Sequence, residues 1–213
     1  MTGTFRRLSS ERQERLLSIC ADEFARNGYE VSSTNTIVRV AGISKGLFFK
    51  YFTSKESVYL HLVESILTEL GELQTQPFNS TDIVARSEEL FSRHMGYARR
   101  QPSRYRMALR AATETDPAIR DAVEQIRTNV SARFSAALYD GVDWTIYTLA
   151  KADVIEFLRC LDLGLRRAAI ESVTDLSDTA GFEAYVRERH RLARTVLRDG
   201  LYSNQNEEDI DVD

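Results

Sequence analysis

Apolar residues recur along most of this chain at helical spacing. Leu17, Cys20, Ala21 and Phe24 stand at i, i+3, i+4 and i+7, one face of an amphipathic helix. That helix is predicted over residues 10–27, with Ser10 as its N-cap and Asn27-Gly28 as its stop. A short second helix follows over residues 33–40, with Ile37 and Val40 inward. Ala41-Gly42-Ile43 reads as a tight turn, and a third short helix opens at Ser44 and ends near Phe49. Thr53-Ser54 breaks the pattern. Ser54 can cap a long fourth helix with Tyr59, Leu62, Val63, Ile66 and Leu70 inward. Residues 76–80, containing Pro77, read as a linker.

Beyond the linker, Ile83, Leu90, Phe91, His94 and Ala98 form another stripe. Pro102 punctuates, and residues 105–113 make a short helix. Asp116-Pro117 is a helix start, an acceptor cap followed by proline at the first helical position. Ile119, Val123, Ile126, Val130, Phe134 and Ala137 carry that helix to Tyr139, where Asp140-Gly141 ends it. The next helix has two adjacent apolar stripes. Val154, Leu158, Leu161 and Leu165 make one, and Phe157, Cys160, Gly164 and Ala168 the other, a pattern that needs two packing partners. Phe182, Tyr185, Val186, Arg189, Leu192, Ala193 and Val196 give a final helix ending near Gly200. Two such helices supply half of an intermolecular four-helix bundle, or else finish the core of a monomer. The acidic tail after Tyr202 has almost nothing to pack and is expected to be disordered. No repeat or strand alternation stands out.

Composition narrows the class. The chain has 213 residues, 43% of them hydrophobic and 28% charged, enough to bury a core without disulfides or structural metals. No apolar run approaches the roughly 18 residues of a membrane span. Residues 1–7 lack the apolar stretch of a secretory signal. The two cysteines, Cys20 and Cys160, have no metal-like spacing and are expected to pack as small hydrophobes in a reduced, cytoplasmic setting. The net charge of −4 is unevenly spread. Residues 1–52 hold eight basic side chains (Arg6, Arg7, Arg12, Arg15, Arg26, Arg39, Lys45, Lys50) and five acidic ones (Glu11, Glu14, Asp22, Glu23, Glu30). That surplus of three leaves the remainder at −7. An acidic average does not exclude nucleic-acid binding, because affinity follows local phosphate neutralisation.

Residues 32–56 are the informative stretch: a helix, a turn around Gly42, a short helix and a Phe/Tyr-rich exit. This is a helix-turn-helix pattern. Gly42 is expected at positive φ, since the chain reverses sharply there. Ile37, Val38 and Ile43 would pack the two helices together, leaving Lys45, Gly46, Leu47, Phe49 and Lys50 outward. Ser44-Lys45-Gly46 is small and basic, and a helix N-terminus favours phosphate.

Phe24, Asn27-Gly28-Tyr29, Ser32-Ser33, Ile37, Ala41-Gly42-Ile43-Ser44-Lys45-Gly46, Tyr51-Phe52 and Ser54-Lys55-Glu56 fall in one ungapped run. Together they resemble the DNA-binding domain of the TetR family of bacterial transcriptional regulators. The resemblance implies an all-α fold. A three-helix helix-turn-helix domain would span residues 1–53, a helical ligand-binding and dimerisation domain residues 54–202, and the acidic tail residues 203–213. It further implies that Ser33 and Thr34 touch phosphate, and that Lys45 and Gly46 approach bases or backbone in the major groove. Leu47 would meet a thymine methyl. Lys50 and Tyr51 would contact phosphate or bases, and Lys55 a phosphate, while Phe48 and Phe52 belong to the core. Phe49 belongs to the same interface but stands where the family often has tyrosine. The missing phosphate hydrogen bond weakens binding by about 1 kcal/mol. Val38 likewise replaces a common alanine, and Ser32-Ser33 a pair of threonines.

The implied function is sequence-specific transcriptional regulation by a homodimer, a repressor released by a small-molecule effector. Two recognition helices about 34–36 Å apart would read a palindromic operator in double-stranded DNA. No cofactor, metal, enzymatic activity or membrane partner is implied. Phe91, His94, Tyr97, Tyr105, Met107, Arg110 and Trp144 are candidates for the effector pocket, each with ordinary core packing as its alternative. Phe157, Leu158, Leu161, Leu165, Tyr185, Arg189, Leu192 and Val196 are candidates for the dimer interface, with Arg189 either paired there or snorkelling to solvent. Two other readings stand beside this one: an activator of the same fold, and a helical small-molecule or protein-binding module with a degenerate DNA head. Gly42-Ile43-Ser44-Lys45-Gly46 also matches the G-x-S-x-G of serine hydrolases, but that motif needs a preceding strand and here follows a helical pattern. His61, His94 and His190 are isolated from any metal-ligand spacing.

Overall fold

The computed structural model describes residues 1–172 and, beyond them, Gly181, Ala184, Tyr185, Arg187, Glu188, Arg191, Leu192 and Thr195; in residues 165–167 and 169–172 it describes the backbone alone. The expected final helix therefore lies largely outside the described residues, and the acidic tail wholly outside them. All the described regular structure is helical.

Four helices make the head: α1 (Gly3–Arg6), α2 (Ser10–Val31), α3 (Thr34–Ala41) and α4 (Lys45–Phe52). The body follows with α5 (Lys55–Glu72), α6 (Ile83–Arg100), α7 (Pro102–Ala112), α8 (Arg120–Tyr139), a 3-10 turn (Trp144–Ile146) and α9 (Lys151–Ser172). Helix α1 was not expected. The Thr2 hydroxyl accepts from the Phe5 amide, and Phe5 is buried, so a cap and one anchor suffice for a single turn. Ser9, rather than Ser10, caps α2 through the Arg12 amide. The stop at Gly28 is real (φ 72°, ψ −178°), but the chain resumes helical geometry as far as Val31. Val40 is 52% exposed rather than inward. Gly42 takes the left-handed conformation that ends α3 (φ 67°). Helix α4 runs three residues past Phe49, because Tyr51 and Phe52 bury their rings on the head. Thr53, at φ 58°, then stops it, and Ser54 and Ser57 exchange caps at the start of α5 (3.0 and 3.2 Å).

Two starts in the body differ from expectation. Pro102 does not separate helices; it opens α7 at a first-turn position where its missing N–H is harmless. Asp116 caps a turn instead, accepting from the Ala118 amide at 2.9 Å, and α8 begins only at Arg120. The linker between α5 and α6 is held down by Arg93, which donates to the carbonyls of Leu73 (2.8 Å), Gln76 (3.0 Å) and Pro77 (2.6 Å) and pairs with Glu89 (2.6 Å).

One buried cluster runs from the head into the body. It joins Phe5, Phe24, Phe48 and Phe52 to Tyr59, Leu62 and Ile66 of α5 and on to Met95, Met107, Leu109 and Ile119. Phe24–Tyr59 and Phe48–Phe52 ring pairs, each at 5.0 Å, add about 0.5–1.5 kcal/mol apiece beyond burial. A second cluster gathers Ile83, Val84, Val142, Tyr147 and Val154 at the far end of the body. Cys20 is fully buried, and burial pushes its thiol up to about 12, as a small core hydrophobe requires. Cys160 is exposed instead, its Sγ donating to Glu156 at 3.5 Å.

Candidate nucleic-acid interface

Helix α4 is built to be presented outward. The Ser44 hydroxyl accepts from the Leu47 amide at 3.2 Å and fixes its start. Phe48, Tyr51 and Phe52 bury one side against α1, α2 and α5. The opposite side carries Lys45, Gly46, Phe49 and Lys50, all exposed, with Leu47 half-buried. Gly46 is informative. Nothing lies within 4 Å of where its Cβ would sit, so no neighbour within the chain demands a glycine. A glycine inside a helix costs about 1 kcal/mol against alanine. Its smallness therefore suits something that approaches from outside.

The head's cations differ from those of the body. Among the described residues, the side chains of Arg6, Arg7, Arg39, Lys45 and Lys50 make no ion pair and no hydrogen bond. In the body, Arg86 donates to the carbonyls of Ser80, Leu138 and Asp140, and Arg104 pairs with Glu69 and also reaches Ser65 (3.1 Å) and Tyr97 (3.1 Å). These five head cations are left available, whereas Arg86 and Arg104 are spent on the framework of the body.

Two of the expected DNA contacts, Tyr51 and Lys55, are placed differently. Tyr51 is 4% exposed, its ring against Phe5 and Phe52, so it acts as core rather than as a surface contact. The Lys55 ammonium sits in a nest of carbonyls, donating to Tyr29 (2.8 Å), Glu30 (3.2 Å) and Ser32 (3.3 Å), 4.4 Å above the Tyr29 ring. It closes the last turn of α2, beyond the Gly28 kink, where helix carbonyls lack partners. Ser33 does not cap α3 with its side chain; its amide donates to Glu23 Oε1 at 2.9 Å, and Thr34 beside it is half-buried. The stretch Gly42–Gly46 follows helix α3, so the strand-turn-helix of a hydrolase elbow is not formed there.

Five of the seven effector-pocket candidates are buried or half-buried along α6 and α7. His94, Tyr97, Tyr105 and Met107 are buried and Phe91 packs against the large cluster, with the His94 ring of α6 6.4 Å from the Tyr105 ring of α7. The Tyr97 hydroxyl donates to Glu69 at 2.7 Å, and burial leads in pushing it up to about 12. The other two part company. Trp144 belongs to the second cluster, near Tyr139 and Tyr147 and under Lys151. Arg110 reaches the head, donating to the carbonyls of Ala25 (2.9 Å) and Arg26 (3.1 Å) ahead of the Gly28 kink of α2.

Of the dimer candidates, Phe157 is 45% exposed on α9, while Leu158 and Leu161 are half-buried against the second cluster. Tyr185 packs on the first cluster, and Leu192 is exposed. The side chains of Leu165, Arg189 and Val196 lie outside the described residues. Sequence reasoning missed α1, whose only signals are the Thr2 cap and the lone Phe5.

Residues 16–62 match the family model of bacterial regulatory proteins of the tetR family. That span covers α2 through the first half of α5. The HTH-type transcriptional regulator YdgC of Bacillus subtilis is 32% identical over 86 residues, which cover 35% of this chain and 44% of that protein. RutR of Escherichia coli, also an HTH-type transcriptional regulator, is 33% identical over 66 residues, 31% of each chain. The chain thus spans less than half the length of these curated relatives. Over the whole fold, a TetR family transcriptional regulator from Chloroflexus aurantiacus superposes with a TM-score of 0.68 at 25% identity, across 95% of this chain and 98% of that one. In its helix-turn-helix head, over residues 16–62, this chain is similar to the tetR family of bacterial regulatory proteins, and in its all-helical fold to a solved regulator of that family.

Proposed function

We propose that the protein is a cytoplasmic, homodimeric repressor that binds a palindromic operator through α4 and leaves it when a small molecule enters the body. The observation that carries the DNA reading is the outward side of α4, where Lys45, Gly46, Phe49 and Lys50 stand exposed with no partner in the chain for the two lysines among the described residues. A small, cationic helix face suits the major groove, where phosphate contacts position the helix and base edges specify the site. Ser33 and Thr34 would flank it at the start of α3. Lys55 would support it from behind, holding the last turn of α2 in place.

Dimerisation through α9 is supported by exposed Phe157 and Leu163 and by Gly164, which has open space around it and would let a second helix approach closely. The effector would be an apolar molecule with a polar group, received near Phe91, His94 and Tyr105, where an imidazole lies within an otherwise apolar cluster. Residues 1–53 would thus form the reading head, and residues 54–202 the sensing and dimerising body.

The test is selection of bound duplexes from a random-sequence library, followed by titration of the selected duplex at several salt concentrations. The expected outcome is a two-fold symmetric consensus, two protomers per site, and competitor-resistant binding at 150 mM salt. The Lys50→Ala variant should bind every duplex more weakly and lower the log–log salt slope by about 0.9 per lost phosphate contact. Recovery of no consensus, with affinity equal to that for scrambled DNA, would overturn the operator reading.

A further inference from the structure

We propose that the segment ahead of α2 is a second DNA-contacting element, in which Arg6 and Arg7 grip the phosphate backbone beside the site that α4 reads. The inference rests on the reading of α4 as the recognition helix, and extends it to residues outside the helix-turn-helix.

The segment is fastened to α4 itself. The Thr2 amide donates to the Tyr51 carbonyl at 3.1 Å, and the Thr2 hydroxyl donates to the carbonyls of Lys50 (2.7 Å) and Tyr51 (3.1 Å). These carbonyls lie in the last turn of α4, where a helix runs out of its own donors. Phe5 is buried with its ring 5.0 Å from Phe52 and 6.0 Å from Tyr51. The other end is tied to α2, since the Gln13 side-chain amide donates to the Leu8 carbonyl at 2.8 Å and to the Arg6 carbonyl at 3.4 Å. Both ends are held, so α1 moves with α4 as one body.

Arg6 and Arg7 project from this fixed base. Both are exposed, and neither has an ion-pair partner among the described residues. Without them the positive surplus of residues 1–52 would fall from three to one. Duplex DNA carries about one negative charge per 1.7 Å of its axis. Two unpaired guanidiniums fastened to the end of a helix that enters a groove therefore meet backbone on its rim. Arginine suits the task, because its planar fork matches phosphate oxygens two at a time.

The experiment compares the full chain with two double variants, Arg6→Ala/Arg7→Ala and Arg12→Ala/Arg15→Ala, by DNA titration from 50 to 300 mM salt and by thermal melting. The second pair removes the same charge from the exposed side of α2. The first variant should melt like the parent, lose about tenfold or more in affinity for any duplex, and lower the log–log slope by about 1–2 per protomer. The second should change the slope much less. An unchanged slope and affinity in the first variant, with the parent still binding, would overturn the proposal and leave the role of α4 intact. Equal losses in both variants would overturn it as well, since net charge rather than this segment would then govern binding. A parent that binds no duplex would remove the recognition role of α4 and this inference with it.

Discussion

Single residues in the head show how a side chain's chemistry is redirected by what surrounds it. Lys50 and Lys55 are five positions apart and carry the same charge. Lys50 points to solvent on α4, while Lys55 is consumed by three carbonyls. His61 is a third case. Burial, aided by the positive charges of the Met1 amino group, Arg104 and Arg6 and opposed by Glu64, holds its imidazole below the ordinary histidine range. The folded state therefore binds its proton less readily than the unfolded chain. Stability contributed by the neutral ring is present above the unfolded value near 6.5 and is lost as pH falls through it. Thermal melting should drop between pH 7.5 and 5.5, and His61→Gln should flatten that slope; an identical slope in the variant would assign the acid sensitivity elsewhere.

At the scale of elements, helix ends are closed by cations from neighbouring segments. Lys55 closes the last turn of α2, Arg110 the turn ahead of its Gly28 kink, Arg86 the end of α8 and Arg93 the linker after α5. Each supplies donors where helix carbonyls have none and also favours the negative end of the helix dipole. Close packing is the second device. A Cβ placed on Gly71 of α5 would stand 2.3 Å from Phe134 Cδ2 of α8. The Phe134 ring fills the space that a side chain at position 71 would need. Gly71→Ala should destabilise the protein by about 1–3 kcal/mol, the usual range for overpacking. Phe134→Leu should relieve part of that loss, and urea melts of the single and double variants would read the coupling. Additive losses would place the origin of the effect outside this contact.

Across the whole fold, the core of the described residues has no seam at residues 53–54. The cluster that starts at Phe5 continues through α5 into α6, α7 and the start of α8. Helix α7 is the element most involved. Arg104 ties its start to Glu69 and Ser65 of α5, and Arg110 ties its last turn to α2. Just beyond it, Glu114 accepts from the Tyr59 hydroxyl at 2.9 Å. Head and body are therefore expected to unfold in one transition. Arg110→Met keeps the aliphatic stem and removes only the donors to α2. Hydrogen exchange at residues 23–28 should accelerate in that variant while exchange in α8 stays unchanged; equal acceleration in both would mean global destabilisation instead.

The helices and the helix-turn-helix were legible along the chain, because both are local. A 3.6-residue apolar period, Ser54 as a cap, Gly42 at positive φ and the run from Ala41 to Gly46 each act within a few residues of the chain. The same locality explains the misplaced boundaries. Pro102 and Asp116 carry valid start signals, and only packing decides which residue after them begins the helix. Tertiary structure alone decided how long-reaching side chains are used. Arg110 reads as a pocket residue from its neighbours, yet its guanidinium meets carbonyls 84 and 85 positions away. Tyr51 reads as a contact on a basic helix, yet a phenylalanine from an unforeseen turn covers it. Such partners are set by the three-dimensional path of the chain, and no periodicity along it encodes which carbonyl or ring will lie within reach.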